Sequence, residues 1–137
     1  MKNKLVVHTH HIASHFTNGL WPVVAFLLTV YYFNGDASFE RASFYCFIFS
    51  TLSAPFVLGS GWTDWKTRFQ GRPTMIFNHK RFFGSLFLAS SLLLVVWRAT
   101  DAAAAAPAGP SGLVYAAIVY VDTIFVIYLG YLGGKFI

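Results

Sequence analysis

Runs of apolar residues about 20 positions long recur four times along the chain, separated by short polar or Gly/Pro-rich stretches. At about 1.5 Å rise per residue such a run crosses a ~30 Å hydrocarbon layer as a helix, and only a helix satisfies its own backbone hydrogen bonds there. The pattern predicts four helices, over about 10–33, 42–59, 79–98 and 113–133. Asn34, Gly35 and Asp36 close the first, Gly59-Ser60-Gly61 breaks the second, and the fourth ends in Gly133-Gly134. Pro22 removes one backbone donor inside the first run and should kink that helix near Asn18. The 62–81 stretch is basic and aromatic, as an interfacial loop should be. The Ala-, Pro- and Gly-rich loop after Asp101 reads as a mobile connector.

Composition turns this pattern into a fold class. With 56% hydrophobic and 11% charged residues, 137 residues are too apolar and too charge-poor for a soluble domain. The expectation is an all-α, four-helix transmembrane bundle, a single integral membrane domain over 1–137. No stretch is left over for a soluble catalytic domain, so the chain reads as an electron carrier or subunit more than a stand-alone enzyme. Cys46 is the one cysteine, which excludes a disulfide framework and a covalent c-type haem motif.

The net charge of +5 flanks the apolar runs, which argues for topology and against nucleic acid. Four spans put both chain ends on one side. That side carries Lys2, Lys4, Lys66, Arg68, Arg72, Lys80, Arg81 and Lys135, against Arg41 and Arg98 on the other. The positive-inside rule then gives N-in/C-in, with multi-pass insertion and a retained N-terminus. Trp21, Trp62 and Trp65 would anchor the bundle at the interface.

Histidines carry the candidate chemistry, and four of the five, His8, His10, His11 and His15, precede the first apolar run. An imidazole can ligate metal or haem, or carry protons. On a helix, positions 8, 11 and 15 fall within about 60° of one another, and His10 points elsewhere. His15 is the deepest. His79 opens the third run on the same side, so His15 and His79 are the pair with matched depth for one b-type haem between two helices, with His11 and His79 as runner-up. Because His79 is the one histidine outside the N-terminal cluster, at most one such haem is accommodated. Arg68, Arg72, Lys80 and Arg81 could pair haem propionates or lipid phosphates. His8, His11 and His15 also suit copper or zinc in ligand type, and histidines at an interface can equally bond headgroups, water or carbonyls.

Two acidic residues stand out. Asp122 lies inside the fourth run, where a carboxylate is costly and therefore a functional hypothesis. An ion pair with Arg98 is the favoured reading, beside a hydrogen-bonded acid partnered by Thr123, Thr29 or a tyrosine, or a proton path to quinone. Asp64 can cap or pair within its loop, or orient a histidine from its second nitrogen.

Several of these residues together resemble a family of bacterial four-helix inner-membrane proteins known as domain of unknown function 2231. The matching motifs are His10 followed by His15-Phe16, Gly61-Trp62-Thr63-Asp64, His79, Arg98 and Gly133-Gly134, which span nearly the whole chain. His11 and Thr17 stand where the family usually has proline. The resemblance implies a bacterial inner membrane, redox work beside Rieske-type iron-sulfur domains and haem binding. The resulting expectation is a b-type haem electron-transfer protein or subunit linked to the quinone pool. His15 and His79 are its axial ligands, with His10 and His11 also in play. The rivals are a cofactor-free structural or anchor subunit of a larger membrane complex, and a His-cluster transition-metal binder.

Overall fold

The computed structural model describes residues 2–107 and 109–135. It is all-helical, with α1 (Lys2–Asn34), α2 (Ala37–Arg68), α3 (Met75–Thr100) and α4 (Pro110–Gly134), each long and apolar enough to span a membrane. The helices form a four-helix bundle. Each packs against its neighbours in chain order, α4 closes onto α1, and α1/α3 and α2/α4 are the diagonal pairs.

The helices overrun the predicted ends for identifiable reasons. Asp36 caps α2 by accepting from the Ser38 N–H at 2.9 Å, which recruits the residues before Ala42. Gly35, at φ 72°, turns the chain between α1 and α2. Gly59-Ser60-Gly61 does not break α2: Ser60 Oγ bonds back to the Phe56 carbonyl at 2.6 Å, and the helix continues to Arg68. Most of the expected 62–81 loop is therefore helix, leaving a short turn in which Gln70 and Gly71 take positive φ and Trp65 Nε1 donates to the Arg72 carbonyl at 2.8 Å. Thr74 caps α3. At the other end of the sequence, α1 already begins at Lys2, so all five histidines lie within helices.

Buried positions recur at steps of three, four or seven on every helix, the spacing that aligns helices in a left-handed bundle. On α1 the stripe is Ala13, Thr17, Trp21, Val24 and Leu28; on α2 it is Glu40, Ser43, Phe47, Ser50 and Ala54. On α3 it is Phe77, Gly84, Phe87, Ser91 and Leu94; on α4 it is Gly112, Tyr115, Val119, Asp122 and Val126. Extending the registers places His10, Gly61 and Asp64, Lys80 and Gly133 in one layer, at the end where α1 begins and α4 finishes. That end is called the basic end below. Polar and small residues thus share the interior with Trp21, Leu28, Phe47, Phe87 and Leu94, while Phe26, Phe33, Leu52, Phe56, Leu93 and Ile124 face outward. This arrangement suits lipid, where apolar surface gains nothing from burial and helices associate through close packing and hydrogen bonds.

Trp21 is the hub. It has no exposed surface and packs edge-to-face on Phe47 of α2 at 4.7 Å and on Phe87 of α3 at 4.9 Å. Its Nε1 donates to the Val119 carbonyl of α4 at 3.3 Å, so this one α1 side chain touches the other three helices. The expectation of an interfacial Trp21 is thereby corrected. The register of the stripe, eleven residues on from His10, carries it into the core.

The loop after Asp101 is likewise not a loose connector over its described part. Ala104 and Ala105 are buried, and Gly112 is so close to the loop that a Cβ there would lie 1.8 Å from the Ala106 carbonyl oxygen. Small side chains let this segment seal the end of the bundle.

Candidate functional site

Side chains with chemical capacity are distributed over three levels of the interior. At the basic end, His10 lies half-buried on the inward stripe of α1, with its Nδ1 against Ser60 Oγ at 2.9 Å and the Val57 carbonyl oxygen at 3.2 Å. The carbonyl can only accept, so His10 Nδ1 carries the hydrogen in that contact. The ring packs close to Gly61, where a Cβ would stand in van der Waals contact with His10 Cε1 at 3.4 Å. Lys80 and Asp64 lie within electrostatic reach of His10, and the Lys80 ammonium extends towards α4 at Gly133. Asp64 pairs with Arg68 at 3.3 Å, one turn on along α2. His10 is thus oriented by Ser60 and a backbone carbonyl, and Asp64 takes the pairing role.

His79 occupies the same end but a different seam. It follows the stripe residue Phe77 by two positions, which turns it off the interior and towards α4. There its Nδ1 meets the Tyr128 hydroxyl at 2.8 Å, and its ring packs on Phe83 at 5.9 Å. His8, His11 and His15 are exposed along one outward stripe of α1, as their spacing predicts. His15 therefore sits deep along the helix yet faces away from the bundle.

This geometry bears directly on haem. A bis-histidine haem between helices needs two imidazoles facing one gap. His15 faces outward and His79 faces Tyr128, while His10 and His79 lie in the α1–α2 and α3–α4 seams on opposite sides of the bundle. Lys80, on the inward register of α3, lies within electrostatic reach of His10. The donor set does not fit a haem held inside this bundle by His15 and His79, or by His10 or His11 with His79. Nor do His8, His11 and His15 gather around a metal position: among the described residues, no three His, Cys, Asp or Glu side chains converge.

At mid-depth, Asp122 is 1% exposed, and Ser90 Oγ lies 2.7 Å from its Oδ1. Oδ2 has no hydrogen-bond partner among the described residues. The two expected threonines bond elsewhere: Thr123 bonds back to the Val119 carbonyl, and Thr29 meets the Tyr120 hydroxyl at 2.5 Å. Arg98 does not reach Asp122. Its Nε and Nη2 instead donate to Glu40 Oε1 and Oε2 at 2.5 and 2.8 Å, a bidentate pair across the α2–α3 seam. Glu40 fell outside the predicted second helix and was missed. Its spacing of seven residues before Phe47 is the signal that could have placed it on the buried stripe.

The remaining basic candidates separate. Arg72 is exposed in the turn between α2 and α3. Arg81 lies under Trp62 and Trp65, with its guanidinium carbon 5.4 and 4.4 Å from the two rings. These tryptophans therefore form a shelf for a cation beside the outer surface.

No family model, no curated protein and no solved structure matches the chain. The likeness to the four-helix inner-membrane family rests on the motif residues alone, and of these His10, Asp64 and Arg98 all stand on inward registers.

Proposed function

We propose that this chain is a structural, anchoring subunit of a larger membrane complex, a rigid multi-pass scaffold whose inward polar residues serve to lock helix to helix. One observation carries this reading: each of the four seams is closed by a side-chain hydrogen bond. His10 with Ser60 joins α1 to α2, Arg98 with Glu40 joins α2 to α3, His79 with Tyr128 joins α3 to α4, and Thr29 with Tyr120 joins α1 to α4. In these ties His10 and His79 are each held through Nδ1, which fixes the two rings against the neighbouring helix. Interhelical hydrogen bonds in lipid contribute roughly 0.6–2 kcal/mol each. The exposed His8, His11 and His15 stripe offers a polar surface for a neighbouring subunit. Basic residues concentrated at the end bearing both chain termini support an orientation with that end in the cytoplasm. The family resemblance supports a bacterial inner membrane.

The test separates this reading from the b-type haem, quinone-linked electron carrier. The chain is expressed with ample haem, purified, and compared with a His79→Phe variant, which keeps ring packing and loses the bond to Tyr128. The scaffold reading expects no stoichiometric haem band in the wild type and a lower unfolding temperature for the variant. A stoichiometric haem band that disappears in His15→Ala or His79→Phe overturns it in favour of the electron carrier.

A further inference from the structure

We infer that the outer groove of the α2–α3 seam at the basic end binds an anionic phospholipid, with Arg81 holding the phosphate and the apolar face of α3 receiving an acyl chain. The groove is lined by Trp62, Asn78, Arg81, Phe82, Ser85 and Leu86. Its charged and amide groups, Arg81 and Asn78, lie towards the helix end, and Phe82 and Leu86 lie deeper with the hydroxyl of Ser85 between them. From Asn78 to Leu86 is about 12 Å of helix, and Arg81 sits about 9 Å in from Met75. An amphiphile with one charged end and an apolar tail matches that order.

The cation is held in place before any ligand arrives. Arg81 Nη2 donates to Asn78 Oδ1 at 2.7 Å, while the guanidinium lies 4.4 Å from the Trp65 ring centre and 5.4 Å from that of Trp62. Its Nε is buried and has no acceptor among the described residues. Among the described residues no carboxylate pairs with Arg81, and Asp64 pairs with Arg68 at 3.3 Å. Lys66 stacks on Trp62 at 5.1 Å, placing a second positive charge on the same ring. A guanidinium stacked on aromatic rings keeps its in-plane N–H edge for phosphate oxygens, which accept charge-assisted bonds. Two cations without a compensating carboxylate favour a net-negative headgroup over a zwitterionic one. The apolar continuation at Phe82 and Leu86 favours a lipid over a soluble phosphate.

The test uses the full chain in nanodiscs and in detergent. Phosphatidylglycerol binding is followed by native mass spectrometry, and by tryptophan quenching with phosphatidylglycerol carrying brominated acyl chains. The wild type should retain phosphatidylglycerol over phosphatidylcholine, and brominated phosphatidylglycerol should quench more strongly than its phosphatidylcholine counterpart. Arg81→Gln should weaken retention about tenfold, the scale of one lost charge-assisted contact. Arg81→Lys should fall between, and Arg41→Gln, at the opposite end, should match the wild type. Equal retention of the two lipids, an Arg81→Gln variant within twofold of wild type, or displacement by soluble glycerol phosphate at comparable concentration overturns the inference. Should Arg81→Gln not fold, Arg81→Lys and the wild-type quenching comparison decide it alone: unequal quenching with weakened retention supports the site, and equal quenching overturns it.

Discussion

Arg98 and Glu40 form the one bidentate ion pair among the described residues, at the bundle end opposite the histidines, with Arg98 also stacked on Phe44 at 4.8 Å. Both side chains are largely buried, at 13% and 9% exposure. Each charge is compensated by the other, so removal of one leaves the other stranded in a low-dielectric interior.

Arg98→Leu or Glu40→Leu should therefore destabilise the bundle by about 3–5 kcal/mol, whereas the double replacement should recover most of the loss. A double-mutant cycle on unfolding in mild detergent measures this. Purely additive losses would show that the two residues act independently.

For Asp122 the decisive comparison is between Asn and Leu. Asn retains an acceptor for Ser90 and removes the ionisable group, so the Asp122→Asn variant should unfold within about 1 kcal/mol of wild type. Asp122→Leu removes the bond to Ser90, whose hydroxyl keeps only the Phe87 carbonyl at 3.0 Å, and forces a branched side chain into the core, and should cost about 1–3 kcal/mol. Loss of activity in an assembled complex with Asp122→Asn, at unchanged stability, would instead mark the carboxylate as a proton carrier.

The start of α2 should respond to acid. The Ser38 backbone N–H, and then its hydroxyl, hold the Asp36 carboxyl below the ordinary carboxylate range. A lowered folded-state value means that the cap contributes stability above the unfolded carboxylate pKa and loses it as pH falls through the folded value. Amide exchange at Ser38 and Phe39 should accelerate over that acid window beyond the intrinsic pH trend. Asp36→Asn, which caps without titrating, should abolish this component.

Gly112→Ala tests how tightly the loop after Asp101 seals the bundle. The added methyl would meet the Ala106 carbonyl oxygen at 1.8 Å, so backbone must move. A fall in stability of about 1–3 kcal/mol is expected, with increased protease access to the loop. Gly134→Ala, whose Cβ position has no neighbour, is the control and should be neutral.

The amino-acid sequence by itself determined four membrane-length helices, their order and the grouping of basic residues at one end, because hydrophobic length and backbone self-satisfaction are properties of a segment. It also determined that His8, His11 and His15 share one face, because a helix has a fixed period. It did not determine which way that face turns. Depth along a helix is legible from the neighbouring apolar residues, and depth paired His15 with His79. Orientation about the axis depends on which residues of three other helices fill the interior, and here Trp21 sets it by packing on Phe47 and Phe87 and bonding Val119. That rotation brings His10 inward, leaves His15 outside and turns His79 towards Tyr128. The same rotation gives Arg98 to Glu40 and leaves Asp122 with Ser90. Such pairings are relations between helices, and only the tertiary structure decided them.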